Sequence, residues 1–348
     1  MRIVPLDASR MAAWDGFVAG CPEATFFHQA ALPGLIARIY GHRDRSVLAL
    51  QDGDVVGVLP LVELRTRLFG HALISLPFCV YGGPLAVDGE AARALLDHAA
   101  ALLRQTNAAT LELRGLQPLP DPWVSEGELW TVRSGLYATF RKPIVGDDAA
   151  NLKAIPRKQR AVVRKGIERK LEILTTGDAA PVYRIYAESV RNLGSPVFPR
   201  RWFEALLETF PGAVDTTLVR AEGRPAAGVL TLHWRNEVLP YYGGGTPDAR
   251  DCQAFDVMYW DVMCRAASRG ATLFDFGRSK EGTGAYAFKK NWGFTPTPLA
   301  YRFLLRAGET VPDHNPLNPK YRLLISSWKR LPLPVANWLG PRLVRGLG

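Results

Sequence analysis

Apolar and polar positions along the chain change period several times, and the order of those changes is repeated. Val47 to Leu50 and Val55 to Leu61 are apolar runs on either side of Asp52-Gly53, a pattern that predicts a β-hairpin. Leu218 to Ala221 and Ala226 to Leu232 flank Glu222-Gly223 in the same way. Val80-Tyr81-Gly82-Gly83 then matches Tyr241-Tyr242-Gly243-Gly244, each read as a further strand leading into a helix. The helices cover roughly 90–105 and 251–269. In the second, Phe255, Met258, Tyr259, Val262, Met263, Ala266 and Ala267 recur at the spacing of a buried stripe. Asp251 is placed to cap that helix and Gly270 to stop it, which leaves Asp256 and Asp261 on the solvent side. Each helix runs into a strand, Ala109 to Leu113 and Ala271 to Asp275. Four matched elements in one order predict an internal duplication of α/β (α+β) class, with mixed sheets flanked by helices.

The expected division is a first domain at 1–146, a second at 147–312 and a tail at 313–348. The first boundary follows from the turn residues after the strand-like Tyr137 to Arg141. Asp178 to Asn192 reads as a further helix of the second domain. The densest chemistry lies in Ala271 to Phe294, where an aromatic strand meets Gly277, a loop with Gly282 and Gly284, and a short basic-aromatic helix. Tyr286, Phe288 and Trp292 crowd aromatic faces around Lys289.

Charge changes the picture because it is local. The net charge of +10 comes from 43 basic and 33 acidic residues. Much of the excess falls between Lys153 and Glu172 and after Lys320. Ile155 to Gly166 carries Arg157, Lys158, Arg160 and Arg164 around a thin apolar stripe of Ile155, Val162, Val163 and Ile167. That segment suits either a solvated connecting helix or an anion platform for nucleotide or RNA phosphates. In the tail, Tyr321, Leu324, Ile325, Trp328 and Trp338 alternate with basic residues and nothing acidic. Such a tail either lies on an anionic membrane, where each buried apolar side chain contributes about 1.5–3 kcal/mol, or packs on the protein body.

Composition sets outer limits. At 47% hydrophobic and 22% charged the chain reads as globular. Four scattered cysteines and six single histidines offer no metal-ligand spacing. No signal-peptide h-region or membrane-length apolar stretch is present, so a cytoplasmic protein is expected, with the tail allowing peripheral attachment to the inner membrane. Walker, GxSxG and GxGxxG patterns are absent. Arg67 to Ala72 fits a loose Arg-x-x-Gly-x-Ala phosphate-loop pattern, but chance supplies that pattern readily. Glycine-rich backbone, aromatic walls and cations remain, a set suited to positioning two bulky substrates and stabilising an oxyanion. Lys289 is the candidate cation, and Asp275 is either a structural acid or a base. Tyr242, Gly243 and Gly244 offer backbone to an acyl donor, while Arg278, Tyr286 and Trp292 complete the binding set. A non-catalytic RNA-binding or membrane-peripheral scaffold is the alternative from a different class.

Phe274-Asp275-Phe276-Gly277-Arg278, the Phe-Lys-x-x-Trp-Gly of Phe288 to Gly293, Tyr241 to Gly245 and the Ile155 to Gly166 segment resemble the FemAB-like transferases. Within that family the likeness is to the branch found with exosortase (PEP-CTERM) and exopolysaccharide systems, and it covers about residues 20–310. The resemblance implies two tandem GNAT domains that transfer an acyl or aminoacyl group to an amine on a cell-envelope precursor, with Phe288 and Lys289 at the reaction centre. It implies no tightly bound cofactor, and a co-substrate that is acyl-CoA or aminoacyl-tRNA. No long heptad segment corresponds to the tRNA-linked arm of some peptidoglycan-bridge members, so the donor stays open between the two.

Overall fold

The computed structural model describes residues 1–119, 130–312 and 322–348, so Tyr321 lies outside the described residues. In chain order the elements are β1 (Arg2–Pro5), α1 (Met11–Gly20), α2 (Ala31–Tyr40), β2 (Arg43–Asp44), β3 (Val47–Gln51), β4 (Asp54–Leu59), β5 (Val62–Thr66), β6 (Gly70–Ile74), β7 (Leu85–Ala86), α3 (Gly89–Thr106), β8 (Thr110–Leu113) and β9 (Trp130–Arg133). They continue with β10 (Tyr137–Pro143), α4 (Asp148–Lys153), α5 (Arg157–Glu168), β11 (Glu172–Thr176), α6 (Ala179–Leu193), α7 (Arg200–Thr209), β12 (Val214–Ala221), β13 (Arg224–Trp234) and β14 (Glu237–Gly245). The last are α8 (Ala254–Ser268), β15 (Leu273–Lys280), α9 (Gly284–Asn291), β16 (Pro296–Pro298), β17 (Tyr301–Leu305), α10 (Arg322–Lys329) and α11 (Leu333–Val344). The architecture is mixed α/β, as the duplication predicts.

Two compact units result. The first comprises Met1–Tyr137, Pro298–His314 and Arg345–Gly348, the second Ala138–Thr297 and Asn315–Val344. The first unit holds a sheet of order β1-β3-β4-β7 and another of order β2-β5-β6-β8-β17-β9. The second unit has one sheet, β11-β12-β13-β14-β15-β10-β16. β10 follows β9 in the chain yet lies between β15 and β16, and β17 follows β16 yet lies between β8 and β9. Each of the two larger sheets is thus completed by a strand reached through the other half of the sequence.

Local chemistry explains the shared elements. Asp52 and Gly53 both take positive φ, as do Glu222 and Gly223, which gives β3–β4 and β12–β13 the tight turns the sequence predicts. α3 begins where the Asp88 carboxylate accepts the Ala91 N–H, and it ends at a left-handed Asn107. Leu95, Leu96, Ala99 and Leu103 of α3 pack with Ala49, Leu59, Leu111 and Leu304 in the first core. In the second core Val257, Met258, Val262 and Met263 of α8 meet Val229, Val238, Phe274 and Trp292.

Several sequence expectations are corrected. Val80 to Gly83 is a buried loop, not a strand, because Leu76 and Phe78 adopt left-handed backbone and turn the chain out of β6. α8 starts at Ala254 without a side-chain cap, and the Asp251 carbonyl instead accepts from Arg169 and Gln253. Asp256 turns inward to bond with Gln159 and Trp292, and Asp261 is partly buried beside Arg265. On α5, Val163 and Gly166 form the packed face while Ile167 is exposed, since a Cβ at position 166 would stand 3.2 Å from Gln253 Cβ on the helix side of α8. In the tail, Ala336, Gly340 and Val344 of α11 are buried, so one tail face packs on the body.

Candidate active site

The second unit's sheet opens in its middle. β13 and β14 pair along their whole length, with one irregularity that leaves Tyr241 outside the one-to-one register. β14 and β15 run parallel but pair only at Glu237↔Leu273 and Val238↔Phe274. Beyond that point β14 runs on to Gly245 and β15 to Lys280 outside this parallel ladder, with the Tyr241 ring 4.0 Å from where a Cβ of Gly277 would stand. Arg141 on β10 holds the closed end, ion-paired to Glu237 of β14 and, at 3.2 Å, to Asp275 of β15. Sequence reasoning missed Arg141 and Glu237, which stand 96 residues apart and carry no spacing signal.

The glycine run that ends β14 has a packing cause. A Cβ on Gly243 would lie 2.5 Å from the Tyr259 hydroxyl of α8, and one on Gly244 would lie 2.7 Å from Cα of Tyr186 in α6. Gly245 is pressed by Phe255 of α8. Helices on both faces therefore approach this strand end to backbone distance, which only glycine permits. Tyr242 is buried, with its hydroxyl accepting the Trp202 indole N–H at 3.0 Å and its ring among Tyr186, Phe198 and Phe203. It is a wall post held from behind.

β15 is buried on both faces. Asp275 is fully buried, and its carboxylate accepts the Gly277 N–H at 2.6 Å in addition to the Arg141 ion pair. It is thereby sealed from solvent and held by partners on two sides. Gly277 has φ +64, a left-handed bend that brings successive carbonyls together instead of alternating them. Lys289 exploits that bend: Nζ donates to the oxygens of Phe276 (2.6 Å), Gly277 (3.2 Å) and Arg278 (3.1 Å). The ammonium also lies 5.4 Å from the centroid of the Phe140 ring. Burial depresses the Lys289 pKa to about 7, with nearby Asp275 pulling it back upward.

α9 brings the rest of the motif together. The Thr283 hydroxyl accepts the Tyr286 N–H and starts the helix. Tyr286 packs edge-on against Phe140, and Phe288 packs among Phe255, Tyr259, Phe276 and Trp292. Trp292 is fully buried and donates its indole N–H to Asp256 at 3.1 Å, so it belongs to the core instead of a substrate wall. Burial raises the Asp256 pKa against the bonds from Trp292 and Gln159. Gly293, at φ +79, lets Pro156 seat on the motif, where a Cβ would be 2.8 Å from the proline ring. α5 therefore starts directly beside the Phe-Lys-x-x-Trp-Gly stretch. Arg160 is tied to the carbonyls of Lys153 and Ile155, whereas Arg157, Lys158 and Arg164 are exposed. Arg278 is half-buried at the bend. The described residues contain no cluster of metal-ligating side chains.

Residues 150–290 fit the acetyltransferase (GNAT) domain. No curated protein matches this sequence. Among solved structures, FemX superposes on 93% of this chain and 100% of its own with a TM-score of 0.66 at 16% identity. A tandem GNAT protein from the clavulanic acid biosynthesis pathway covers 89% and 99% with a TM-score of 0.54 at 16% identity. The C-terminal domain of a putative lysylphosphatidylglycerol synthetase from Agrobacterium fabrum covers 86% and 92% with a TM-score of 0.56 at 10% identity. These likenesses establish a GNAT-type fold consistent with tandem GNAT-like domains.

Proposed function

We propose that the chain is an N-acyl or aminoacyl transferase that moves an activated acyl group to an amine on a cell-envelope or exopolysaccharide-related precursor of the kind handled in exosortase (PEP-CTERM) systems. The observation that carries this reading is the divergence of β14 from β15. The place where the two strands part suits an extended donor, acyl-CoA or aminoacyl-tRNA, that lies along β14 as an added strand would. The acceptor nitrogen attacks the acyl carbonyl carbon, the carbonyl oxygen takes up negative charge, and the C–S or C–O bond to the donor then breaks. The proton lost by the amine passes to the leaving group. Lys289 is the cation at this centre. A developing oxyanion competes for the proton now held by the longest of its three bonds, to Gly277, and exclusion of water strengthens that interaction. Phe288 and Tyr286 pack around the stem, and Asp275 with Arg141 fixes the strand on which the centre rests. Tyr242, Gly243, Gly244 and Arg278 border the donor. We place the reaction at the cytoplasmic face of the inner membrane. Among the described residues no helix is long and apolar enough to cross a membrane.

A second reading rests on α5. Arg157, Lys158 and Arg164 are exposed and form no ion pair among the described residues, which suits a polyanion such as tRNA. Thermal shifts of the full chain against acetyl-CoA, longer acyl-CoAs and charged or uncharged tRNA at two salt concentrations separate the readings. A donor at a hundred times its dissociation constant stabilises by about 2.7 kcal/mol. The transferase reading expects a salt-resistant shift with one donor class that Lys289→Ala abolishes. Shifts with RNA alone, fading with salt and indifferent to Lys289, contradict it and favour a binding protein.

A further inference from the structure

The tail packs on the second unit through a face that glycine makes possible. Gly194 ends α6 in left-handed backbone at φ +86, and a Cβ there would stand 2.5 Å from Ile325 of α10. Gly340 of α11 sits so close to Val197 that its Cβ would be 2.8 Å from that backbone nitrogen. Arg191 of α6 donates to the carbonyls of Lys329 (3.4 Å) and Leu331 (3.2 Å), which binds the turn between α10 and α11 to the same helix. α10 and α11 are therefore fixed appendages of α6, and their remaining faces are presented in a set arrangement.

Those remaining faces are apolar. Leu323 is 81% exposed, Leu324 67%, Trp338 60%, and Leu193 at the end of α6 is 71% exposed. Val335 joins Trp338 on the open side of α11. Cations interleave with them. Lys329 and Arg330 are exposed, and the Arg342 guanidinium stacks 4.1 Å above the Trp338 ring. Residues 322–344 contain Arg322, Lys329, Arg330 and Arg342 and no acidic residue. Large aliphatic side chains, an interfacial tryptophan and uncompensated positive charge on one short amphipathic element are complementary to lipid acyl chains under anionic headgroups.

We propose that the exposed side of α6, α10 and α11 docks the protein on an anionic phospholipid bilayer. The same α6 presses Tyr186 and Ser189 against Gly244. Seven residues separate Tyr186 from Leu193, about 10 Å along a helix. One rigid helix thus connects the bilayer face to the glycine run of β14, and docking holds the second unit's gap near the headgroup layer. The inference does not depend on transferase activity, because membrane attachment and donor binding are measured separately.

Vesicle flotation of the full chain tests it, with phosphatidylcholine vesicles compared against vesicles containing phosphatidylglycerol. The wild type is expected to float with the anionic vesicles and to lose binding as salt rises. Leu323→Glu with Leu324→Glu, and separately Trp338→Glu, should each lower the partition coefficient at least about ten-fold, since burial of one such side chain is worth at least that factor. The substituted side chains are exposed, so melting temperatures should stay unchanged and show that the variants are folded. Quenching of tryptophan fluorescence by brominated lipid should fall most in Trp338→Phe. A wild type that stays with neither vesicle overturns the proposal, as do variants that float like the wild type. A concentration-dependent dimer dispersed by Trp338→Glu, without vesicle binding, assigns the face to a second copy and overturns it as well.

Discussion

The two units run through the same strand order and part company at one place. In the second unit β14 is continuous and leaves β15 after two paired positions. In the first unit the corresponding course is broken into β6 and β7, and residues 75–84 lie between them. That loop fills the space beside β8. The Ser75 N–H bonds to the Glu112 oxygen, Arg114 donates to the Cys79 oxygen, and the Tyr301 hydroxyl donates to the Val80 oxygen. Ser75, Leu76, Cys79 and Tyr81 are almost fully buried. At the matching positions the second unit has the glycines that end β14, and Lys289 of α9 reaches the neighbouring β15 bend. One copy of the fold has spent its gap on packing, while the other has kept it open. The two left-handed bulky residues, Leu76 and Phe78, carry the strain of the closed version.

The comparison is broken most severely at Arg114. This buried guanidinium pairs with Glu112 at 2.7 Å and ties down the loop. Arg114→Ala should destabilise the protein by about 3–5 kcal/mol, read by denaturant unfolding, because it strands a buried partner. The protein that remains folded should keep its donor affinity. Lys289→Ala makes the converse prediction. Its rate of acyl transfer should fall about 10²- to 10³-fold, or about 2.7–4 kcal/mol. An unchanged rate removes Lys289 from the mechanism. Gly244→Ala comes next, at about 1–3 kcal/mol of stability, because its neighbours are the Tyr186 Cα and the Ile185 oxygen, backbone atoms that cannot step aside.

A last pair of effects separates the units by pH. His28 in the first unit is buried, with Nε2 against the Gly83 oxygen, and burial lowers its pKa from 6.5 to about 4. Between those values the unfolded chain binds a proton that the folded chain does not, so stability falls as pH drops from 6.5 toward 4. Lys289 in the second unit behaves likewise in another window. With a folded pKa of about 7 against 10.5, stability should rise with pH from 7 to 10.5. Melting curves of His28→Gln and Lys289→Met should each flatten one window and leave the other unchanged.

Much of this was legible in the sequence. The two Asp/Glu-Gly hairpins, the helical stripes and their order give the fold because turn chemistry and periodicity act locally. Phe288 to Gly293 stood out because it concentrates aromatics, cations and a glycine within six residues. What could not be read were partners set by tertiary register. Arg141 reaches Glu237 and Asp275 only because β10 inserts next to β15. Trp292 read as part of the binding set and Asp256 as a solvated acid, yet they satisfy each other in the core. The glycines of β14 suggested backbone offered to a ligand, and their close contact with Tyr186 and Tyr259 became visible only with both helices in place.

In the proposed reading the donor lies where β14 and β15 part, and the packed loop at residues 75–84 of the first unit takes none. Hydrogen exchange of the full chain, with and without acetyl-CoA, a long-chain acyl-CoA and aminoacyl-tRNA in turn, tests it most directly. One donor class is expected to slow exchange at residues 239–245 and 277–280 and to leave 75–83 unchanged. Slowed exchange at 75–83, or no change in either unit with all three donors, would contradict it.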